Sequence, residues 1–337
     1  MNLHSPLPRR QPGYPRPLLT LGTLATGLAI GLAASSAPRA WAQPAHEAPA
    51  GKGMAVSFPD VFVSSDSEGF LTRKVSAGLY PWYEHGDRYT GLQVQRNTYA
   101  QGTWQAQGEA LSLVRRAINP RNALGWQAKV GIDQLDSKQL LTLDGSYSLA
   151  LTPATTAELV LNRERVETET ALRDGLHQTS AGAGLWHQLH ERLNVGGMLQ
   201  VMHLSDGNTR TQVRLRGVYD LLPEHGVNVQ VRYRGYRASD TGVPRRYFNP
   251  GEFEEAMAVV GVRRRLEGWV LRGTLGLGRQ QVNADTSTQT QLAEFSATSP
   301  VTGPVFWRVR AGYNRSAGLQ GPDYRYRYLV QELYAPF

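Results

Sequence analysis

Residues 227–236 read VNVQVRYRGY, and their side chains alternate between two chemical classes. Val227, Val229, Val231 and Tyr233 share one parity, while amide and guanidinium side chains take most of the positions between them. A two-residue period places successive side chains on opposite faces of a β-strand. This stretch therefore predicts a strand with one apolar and one polar face. The same alternation recurs at residues 126–133, 209–219, 269–277 and 305–314.

A soluble β-sandwich also alternates, but three features of these segments favour a transmembrane barrel. The segments are longer than the roughly 5–6 residues typical of globular strands. Their polar faces are rich in arginine, and their apolar faces often end in aromatic residues, as the girdles of outer-membrane barrels do. We therefore predict an all-β fold, a transmembrane antiparallel outer-membrane β-barrel. The aromatic residues in question are Trp82, Tyr83, Trp104, Trp126, Tyr147, Tyr219, Tyr236, Trp269, Tyr313 and Tyr334.

The composition is unusual for a membrane protein but suits a barrel. Hydrophobic residues make up 41% of the chain, and the mean hydropathy is −0.39. A barrel tolerates such values because only every second residue of a strand faces lipid. The net charge of +8 does not indicate nucleic acid, because anionic lipopolysaccharide outside a barrel and charge pairs inside it both account for a basic chain.

The N-terminal region has the three parts of an export signal. Arginines lie at positions 9, 10 and 16, residues 18–33 are apolar and uncharged, and residues 40–42 (Ala-Trp-Ala) form a small-x-small cleavage site. The apolar run is shorter than the roughly 20 residues of a spanning helix, which favours cleavage over an uncleaved anchor. The predicted organisation is a signal peptide at 1–42, a short periplasmic leader at 43–54 and a barrel at 55–337.

Turn residues between the alternating segments predict the strand number and the orientation. Short links alternate with longer ones at residues 167–175, 238–252, 283–290 and 316–324. Short turns belong in the periplasm and long loops outside, so the last strand ends in the periplasm at Phe337. An even strand number requires a strand before Phe70, and residues 55–64 can supply it, with Pro59 at an edge or a bulge. The prediction is about 16 strands, with about 14 as the alternative.

Basic side chains concentrate on the polar faces of the predicted strands. A barrel of about 16 strands leaves an aqueous lumen, which these side chains would line. Two interpretations stay open: a charged track or transverse field for an anionic or hydroxyl-rich solute, or ion pairs across the lumen that hold the barrel round. Acidic candidates on earlier strands are Asp133, Asp144, Glu158 and Glu164. The candidate pore-lining residues are Lys129, Arg210, Arg214, Arg216, Arg232, Arg234, Arg272, Arg308 and Arg310.

Two C-terminal features carry a resemblance to a known group of barrels. The chain ends on Phe337, the terminal aromatic residue that outer-membrane barrels offer to their assembly machinery. Residues 245–253 read RRYFNPGEF and are followed by an Arg-Arg-Arg sequence at 263–265 and a Gly-x-Gly-Arg-Gln segment at 276–280. This order resembles the C-terminal barrel of the outer-membrane exporters of poly-N-acetylglucosamine and bacterial cellulose.

The resemblance implies that the barrel translocates an exopolysaccharide. Those exporters carry a large helical repeat region in the periplasm, whereas only a short leader precedes the first strand here. A separate periplasmic protein would therefore link this barrel to a polysaccharide synthase complex. The other expected partners are outer-membrane lipid, lipopolysaccharide and the barrel assembly machinery. The candidate outer-loop residues are Arg245, Arg246, Tyr247, Phe248, Asn249 and Pro250.

Two other functions stay open. A general or anion-preferring porin for small solutes would use the same basic lumen. An outer-membrane lipid hydrolase needs a nucleophile beside a base, and His203 and Ser205 have the spacing of such a pair, although residues 205–208 also read as an ordinary hairpin turn. We predict no catalytic residue, no metal site and no cofactor. No carboxylate completes a metal site with the histidines His177, His187 and His190.

The export signal leads to a first prediction. The mature protein should begin at Gln43 and fractionate with the outer membrane, and it should migrate faster on gels before heating than after. N-terminal sequencing and membrane fractionation check this. An intact Met1, or recovery as a soluble periplasmic protein, would contradict it.

Overall fold

The computed structural model describes residues 53–120, 122–241, 246–300 and 304–337. The predicted signal peptide (1–42) and all but the last two residues of the predicted leader lie outside these ranges. Within them, sixteen strands form one closed antiparallel barrel. The predicted fold class and strand number are confirmed. No helix of the described ranges has the length and apolar character needed to cross a membrane.

The strands run in chain order around the barrel. Each pairs with its neighbours in sequence, and the first pairs with the last to close the ring. They are β1 (Gly53–Asp66), β2 (Phe70–His85), β3 (Arg88–Gln101), β4 (Trp104–Ile118), β5 (Gly125–Leu135), β6 (Lys138–Thr152), β7 (Thr155–Arg165), β8 (His177–His190), β9 (Leu193–Leu204), β10 (Thr209–Leu222), β11 (Val227–Ala238), β12 (Glu252–Leu266), β13 (Trp269–Val282), β14 (Thr288–Thr298), β15 (Phe306–Gly318) and β16 (Gly321–Pro336).

The links between strands orient the barrel in the membrane. The two longest outer links are residues 166–176, which contain the short helix α1 (Glu169–Asp174), and residues 239–251. The prediction of a long outer link at 316–324 is wrong, because β15 and β16 meet in a tight hairpin at residues 319–320. Gly321 allows this turn with φ +147, a backbone conformation that glycine adopts without a Cβ clash.

Alternation sorts the side chains between lipid and lumen, as the sequence predicts. On the lipid side, Val231 is 66% exposed and Leu275 is 68% exposed. On the lumen side, amide and guanidinium side chains such as Gln230 and Arg234 are buried. The strand faces therefore carry opposite chemistry over the whole circumference.

Four of the aromatic residues assigned to the lipid-facing girdle belong to the lumen instead. Tyr83, Tyr236 and Tyr334 are buried, and Trp104 packs against a buried cluster on the lumen side. For Tyr83 the cause is a bulge, since the β2–β3 register shifts between Leu79 and Trp82. A bulge changes which parity faces inward.

Strand β1 contains the irregularity expected at Pro59. Its register shifts between Ser57 and Val61 against β16, and between Ser57 and Asp60 against β2. Proline has no N–H to donate to the sheet, so a strand that is paired on both sides accommodates it at a bulge.

Several lumenal aromatic rings lie against glycines of the neighbouring strand. A Cβ added to Gly196 would lie 2.1 Å from the Trp186 ring, and one added to Gly312 would lie 2.3 Å from the Tyr328 ring. Covering a strand glycine with an aromatic ring is a known way to stabilise a sheet. Here it also keeps bulky rings flat against the wall.

This packing predicts a stability difference between two glycine variants. Gly196→Ala should lower the free energy of unfolding by about 1–3 kcal/mol, because the new methyl group displaces the Trp186 ring. Gly217→Ala is the matched control, since a Cβ at this position meets nothing within 4 Å. The midpoint of the heat-induced gel-mobility shift checks the prediction. Equal midpoints for the two variants would contradict it.

Candidate functional site: the lumen of the barrel

Two of the cavities among the described residues lie in the lumen. The larger has a volume of about 300 Å³ and lies against β1–β7, β15 and β16. The smaller has a volume of about 100 Å³ and lies against β7–β12, β14 and β15. The larger volume is at the lower end of the range of ligand pockets, roughly 300–1,000 Å³.

The larger cavity has aromatic walls. Its lining includes Phe62, Tyr80, Tyr89, Tyr99 and Tyr334. The ring centroids of Tyr80 and Tyr89 are 4.9 Å apart, and the hydroxyls of Tyr89 and Tyr334 are 3.0 Å apart. Because β2 and β16 run towards the periplasm and β3 starts there, this tyrosine cluster marks the periplasmic part of the lumen.

The same cavity has a polar lining on β3 and β5. The Nζ of Lys129 donates to the side-chain oxygens of Gln93 (2.7 Å) and Gln95 (3.1 Å). The side-chain amide of Asn97 donates to Asp133 at 2.8 Å. Amide, carboxylate and ammonium groups therefore face the cavity beside the aromatic rings. These groups hydrogen-bond to one another within the wall.

Four arginines form a square on two adjacent strands beside the smaller cavity. Arg214 pairs in register with Arg234, and Arg216 pairs with Arg232. Arg234 forms an ion pair with Glu255 at 2.9 Å, and Arg232 contacts Glu294 at 3.7 Å. Arg216 and Arg214 instead donate to the amide side chains of Gln230 and Gln212.

Arg308 holds a second charge cluster near the periplasmic end. It contacts Asp87 at 3.3 Å and Glu332 at 3.2 Å, and Arg116 contacts the same Asp87 at 3.0 Å. Burial alone would raise the pKa of Asp87, but the two guanidinium groups hold the pKa of this carboxyl below its ordinary value. The β2–β3 turn is thereby fixed to β4 and β15.

The structure places the predicted pore-lining residues as follows. Lys129, Arg310 and the four arginines of the square line the two cavities. Arg210 is buried above the Tyr236 ring at 4.5 Å. Arg272 lies on the face opposite the lipid-exposed Leu275. Three of the predicted residues, Arg232, Arg234 and Arg308, have carboxylate partners. For these three, the charges form ion pairs inside the lumen.

The outer link 166–176 folds down into the mouth of the barrel. Glu167 forms an ion pair with Lys74 of β2, and burial raises the pKa of this carboxyl while Lys74 opposes the rise. Leu172 packs into a cluster with Phe70 and Tyr99. The hydroxyl of Thr168 caps α1 by accepting from the backbone N–H of Ala171 at 3.2 Å, which fixes the start of the helix.

The second long outer link, 239–251, packs against the first. Arg246 contacts Asp174 at 2.9 Å, and Tyr247 is 2% exposed within a cluster with Val166, Ala171 and other residues. Burial raises the pKa of the Tyr247 hydroxyl to about 12. No local sequence pattern predicts this contact, because it joins two links far apart in the chain.

Asn208 is the centre of the hydrogen bonds that hold this link. Its side-chain amide donates to the Tyr247 hydroxyl (3.1 Å) and to Asn249 (2.9 Å), and its oxygen accepts from Ser239 (3.0 Å) and from the backbone of Asp240 (3.1 Å). Of the predicted outer-loop residues, Arg245 lies outside the described residues. The aromatic Tyr247 and Phe248 pack at the outer mouth, where Phe248 meets the Tyr236–Phe253 pair.

The residues considered for hydrolysis are engaged with other partners. The imidazole of His203 contacts the Thr209 hydroxyl at 3.3 Å, and the Ser205 hydroxyl accepts from the backbone N–H of His177 at 3.0 Å. No hydrogen bond between His203 and Ser205 is present in the described part of the chain. Over the same residues, no group of three His, Cys, Asp or Glu side chains is arranged to hold a metal ion.

Comparison with known proteins places the fold. No protein-family model and no curated protein sequence matches the chain. A solved structure described as a bacterial polysaccharide outer membrane secretin matches 85% of this chain and 99% of its own, with a TM-score of 0.62 and 13% identity. The protein is an outer-membrane β-barrel. OprD from Pseudomonas aeruginosa (TM-score 0.42, 12% identity, 86% of this chain and 96% of its own) and OccAB1 from Acinetobacter baumannii (TM-score 0.43, 10% identity, 85% and 96%) also match.

The hydrogen bonds of Asn208 lead to a prediction for this barrel. Asn208→Ala removes four hydrogen bonds, each contributing about 0.5–1.5 kcal/mol, so the 239–251 link should detach more often. Trypsin should then cleave after Arg246 faster than in the wild type. Asn122→Ala is the matched control, because Asn122 bonds only locally to the backbone of Leu124 among the contacts described. Equal cleavage rates in the two variants would contradict the prediction.

Proposed function

We propose that this barrel translocates an exopolysaccharide across the outer membrane. The observation that carries the proposal is the larger lumenal cavity, where five aromatic rings and several amide side chains line the same space. A polymer of sugar rings presents apolar ring faces and a rim of hydroxyl groups. Aromatic faces and amide hydrogen bonds together suit both parts of such a chain.

The position of the aromatic residues supports movement along the lumen. Tyr324, Tyr326 and Tyr328 follow one another on the lumenal face of β16, with ring centroids 6.5 and 6.1 Å apart. Tyr334 continues this face into the periplasmic cluster. A row of similar contacts lets a repeating polymer advance by one unit, because the polymer does not have to leave a single tightly binding site.

The charge pattern favours a neutral or weakly charged polymer. Arg232, Arg234 and Arg308 are balanced by carboxylates, so the field that a bare basic lumen would exert is reduced. Paired charges still present polar groups in fixed directions. They can bind hydroxyl groups without holding an anionic chain tightly.

Contacts between outer links would gate the proposed channel. For a polymer to leave, residues 246–249 would move away from the 166–176 link, which breaks the contacts of Tyr247 and Arg246. In this proposal a separate periplasmic protein, joined to a synthase complex, delivers the polymer to the barrel. The likeness to a barrel described as a polysaccharide secretin is in line with this proposal.

A porin for small solutes is the second candidate, and one observation favours it. Arg214 and Arg216 are bonded to amides rather than to carboxylates in the contacts described. Such guanidinium groups favour small anions passing through a narrow lumen. An outer link folded over the mouth would then act as a constriction.

Oligosaccharide block of the ion current separates the two candidates. We expect a variant lacking residues 245–251 to conduct in planar bilayers, and hexamers of glucose or N-acetylglucosamine to block that current. Tyr80→Ala combined with Tyr89→Ala should raise the half-blocking concentration on the order of tenfold, because two aromatic contacts of about 0.5–1.5 kcal/mol each are lost.

The control for this experiment is a tyrosine on the other side of the wall. Tyr147 faces lipid and is 46% exposed, so Tyr147→Ala should leave the block unchanged. If the hexamers do not block, and the current is instead anion-selective and shifts towards cation selectivity in Arg214→Gln with Arg216→Gln, the protein is a porin and the export proposal fails.

A further inference from the structure

The lipid-facing side of the outer rim carries a group of arginines on neighbouring strands. Arg315 and Arg325 lie on β15 and β16, Arg327 on β16, Arg73 on β2 and Arg96 on β3. We call these five residues the outer arginine patch. Each shares its parity with lipid-facing residues, for example Arg327 with Leu329 and Arg96 with Val94, which are 44% and 56% exposed.

Sheet register brings the patch together. Arg325 lies directly opposite Arg315. Arg327 pairs with Ser65, and Val63, two residues away on β1, pairs with Arg73. Arg327 and Arg73 therefore flank β1 about 12 Å apart, at about 4.8 Å per strand and about 3.4 Å per residue. Arg73 pairs with Thr98, two residues from Arg96. One anionic headgroup can therefore contact several of these guanidinium groups at once.

Carboxylates lie beside three of the five arginines, and one of them, Glu109, pairs in register with Arg96. Asp323 contacts Arg315 at 2.7 Å and Arg325 at 3.9 Å, and Arg96 donates to the Gln107 side chain at 2.7 Å. Arg73 and Arg327 are exposed, and no ion pair of either is present in the described part of the chain. Like charges placed side by side on a sheet are destabilising, so an external anion at this position would stabilise the barrel.

The opposite side of the rim differs. On β11 and β12, Arg237 forms an ion pair with Glu252 at 2.9 Å, and the Tyr233 hydroxyl donates to Glu254 at 3.1 Å. Basic groups there are balanced within the protein. Single lipid-facing arginines also lie near the outer ends of other strands, for example Arg163 on β7 and Arg279 on β13, but five of them come together on the wall around the β1–β16 closure.

The depth of the patch determines which leaflet it meets. β16 begins at the outer end, and Arg325 and Arg327 lie in its outer half. Arg73 is near the outer start of β2, and Arg96 is near the outer end of β3. Below them the same faces carry Leu79, Leu92 and Val94, which belong to the apolar band of roughly 25 Å. The guanidinium groups therefore lie at the headgroup level of the outer leaflet.

We propose that the outer arginine patch is a binding site for the phosphates of lipid A, the phosphorylated glycolipid of the outer leaflet. Guanidinium groups bind phosphate through paired, charge-assisted hydrogen bonds. The acyl chains of the same lipid would cover the apolar face below the patch. This site is on the outside of the barrel and does not depend on what passes through the lumen.

Binding of purified lipid A to the detergent-solubilised barrel tests the proposal. Arg73→Gln combined with Arg327→Gln should weaken binding by more than tenfold, at about fivefold for each arginine removed near a charged lipid surface. The matched control is Arg264→Gln with Arg265→Gln. These two arginines are exposed at the periplasmic end of β12, and their loss should leave lipid A binding unchanged.

Three further measurements make the result decisive. Dephosphorylated lipid A and phosphatidylglycerol should bind the wild type more weakly than lipid A does, and Arg73→Lys should retain most of the affinity. Heat-modifiable migration shows that each variant is folded, and Arg73→Gln or Arg327→Gln alone replaces a double variant that does not fold. The proposal is overturned if lipid A binds the patch variants as tightly as the wild type, or if dephosphorylated lipid A binds equally well.

Discussion

Pairing of β1 with β16 is the interaction on which the rest of the structure depends. In a bilayer each unsatisfied backbone group costs several kcal/mol, so a sheet can cross only when it has no free edge. Here the two terminal strands pair from Ala55 with Pro336 to Asp66 with Tyr326. The bulge next to Pro59 lets this residue, which has no N–H, take part in a strand that is paired on both sides.

Closure also decides where the chemistry of the protein lies. Once the ring is shut, every strand has one side in lipid and one side in a narrow lumen, and polar groups on the inner side must find partners there. The ion pairs of Arg232, Arg234 and Arg308 and the amides around Lys129 are the result. The aromatic rings pack flat over glycines such as Gly196 and Gly312, and so leave space along the axis.

Two outer links meet at the outer end of the lumen. The 166–176 link enters the mouth and is tied to β2 through Glu167, while the 239–251 link is tied to the first link and to Asn208. These links are held by side-chain contacts: the ion pairs Lys74–Glu167 and Arg246–Asp174 and the buried cluster around Tyr247.

The sequence by itself determined the fold class, the strand number near sixteen and the parity of each regular strand, because alternation is a local property of a chain that lies between lipid and water. Local pattern failed where a bulge intervened, as at Tyr83, or where glycines allowed a tight turn, as between β15 and β16. Only the tertiary structure decided which carboxylate each lumenal arginine meets, that Tyr247 is buried instead of exposed, and that Arg73 and Arg327 flank β1 on one wall. These residues lie up to 254 positions apart in the chain, and their proximity follows from barrel closure, which no local segment of the sequence encodes.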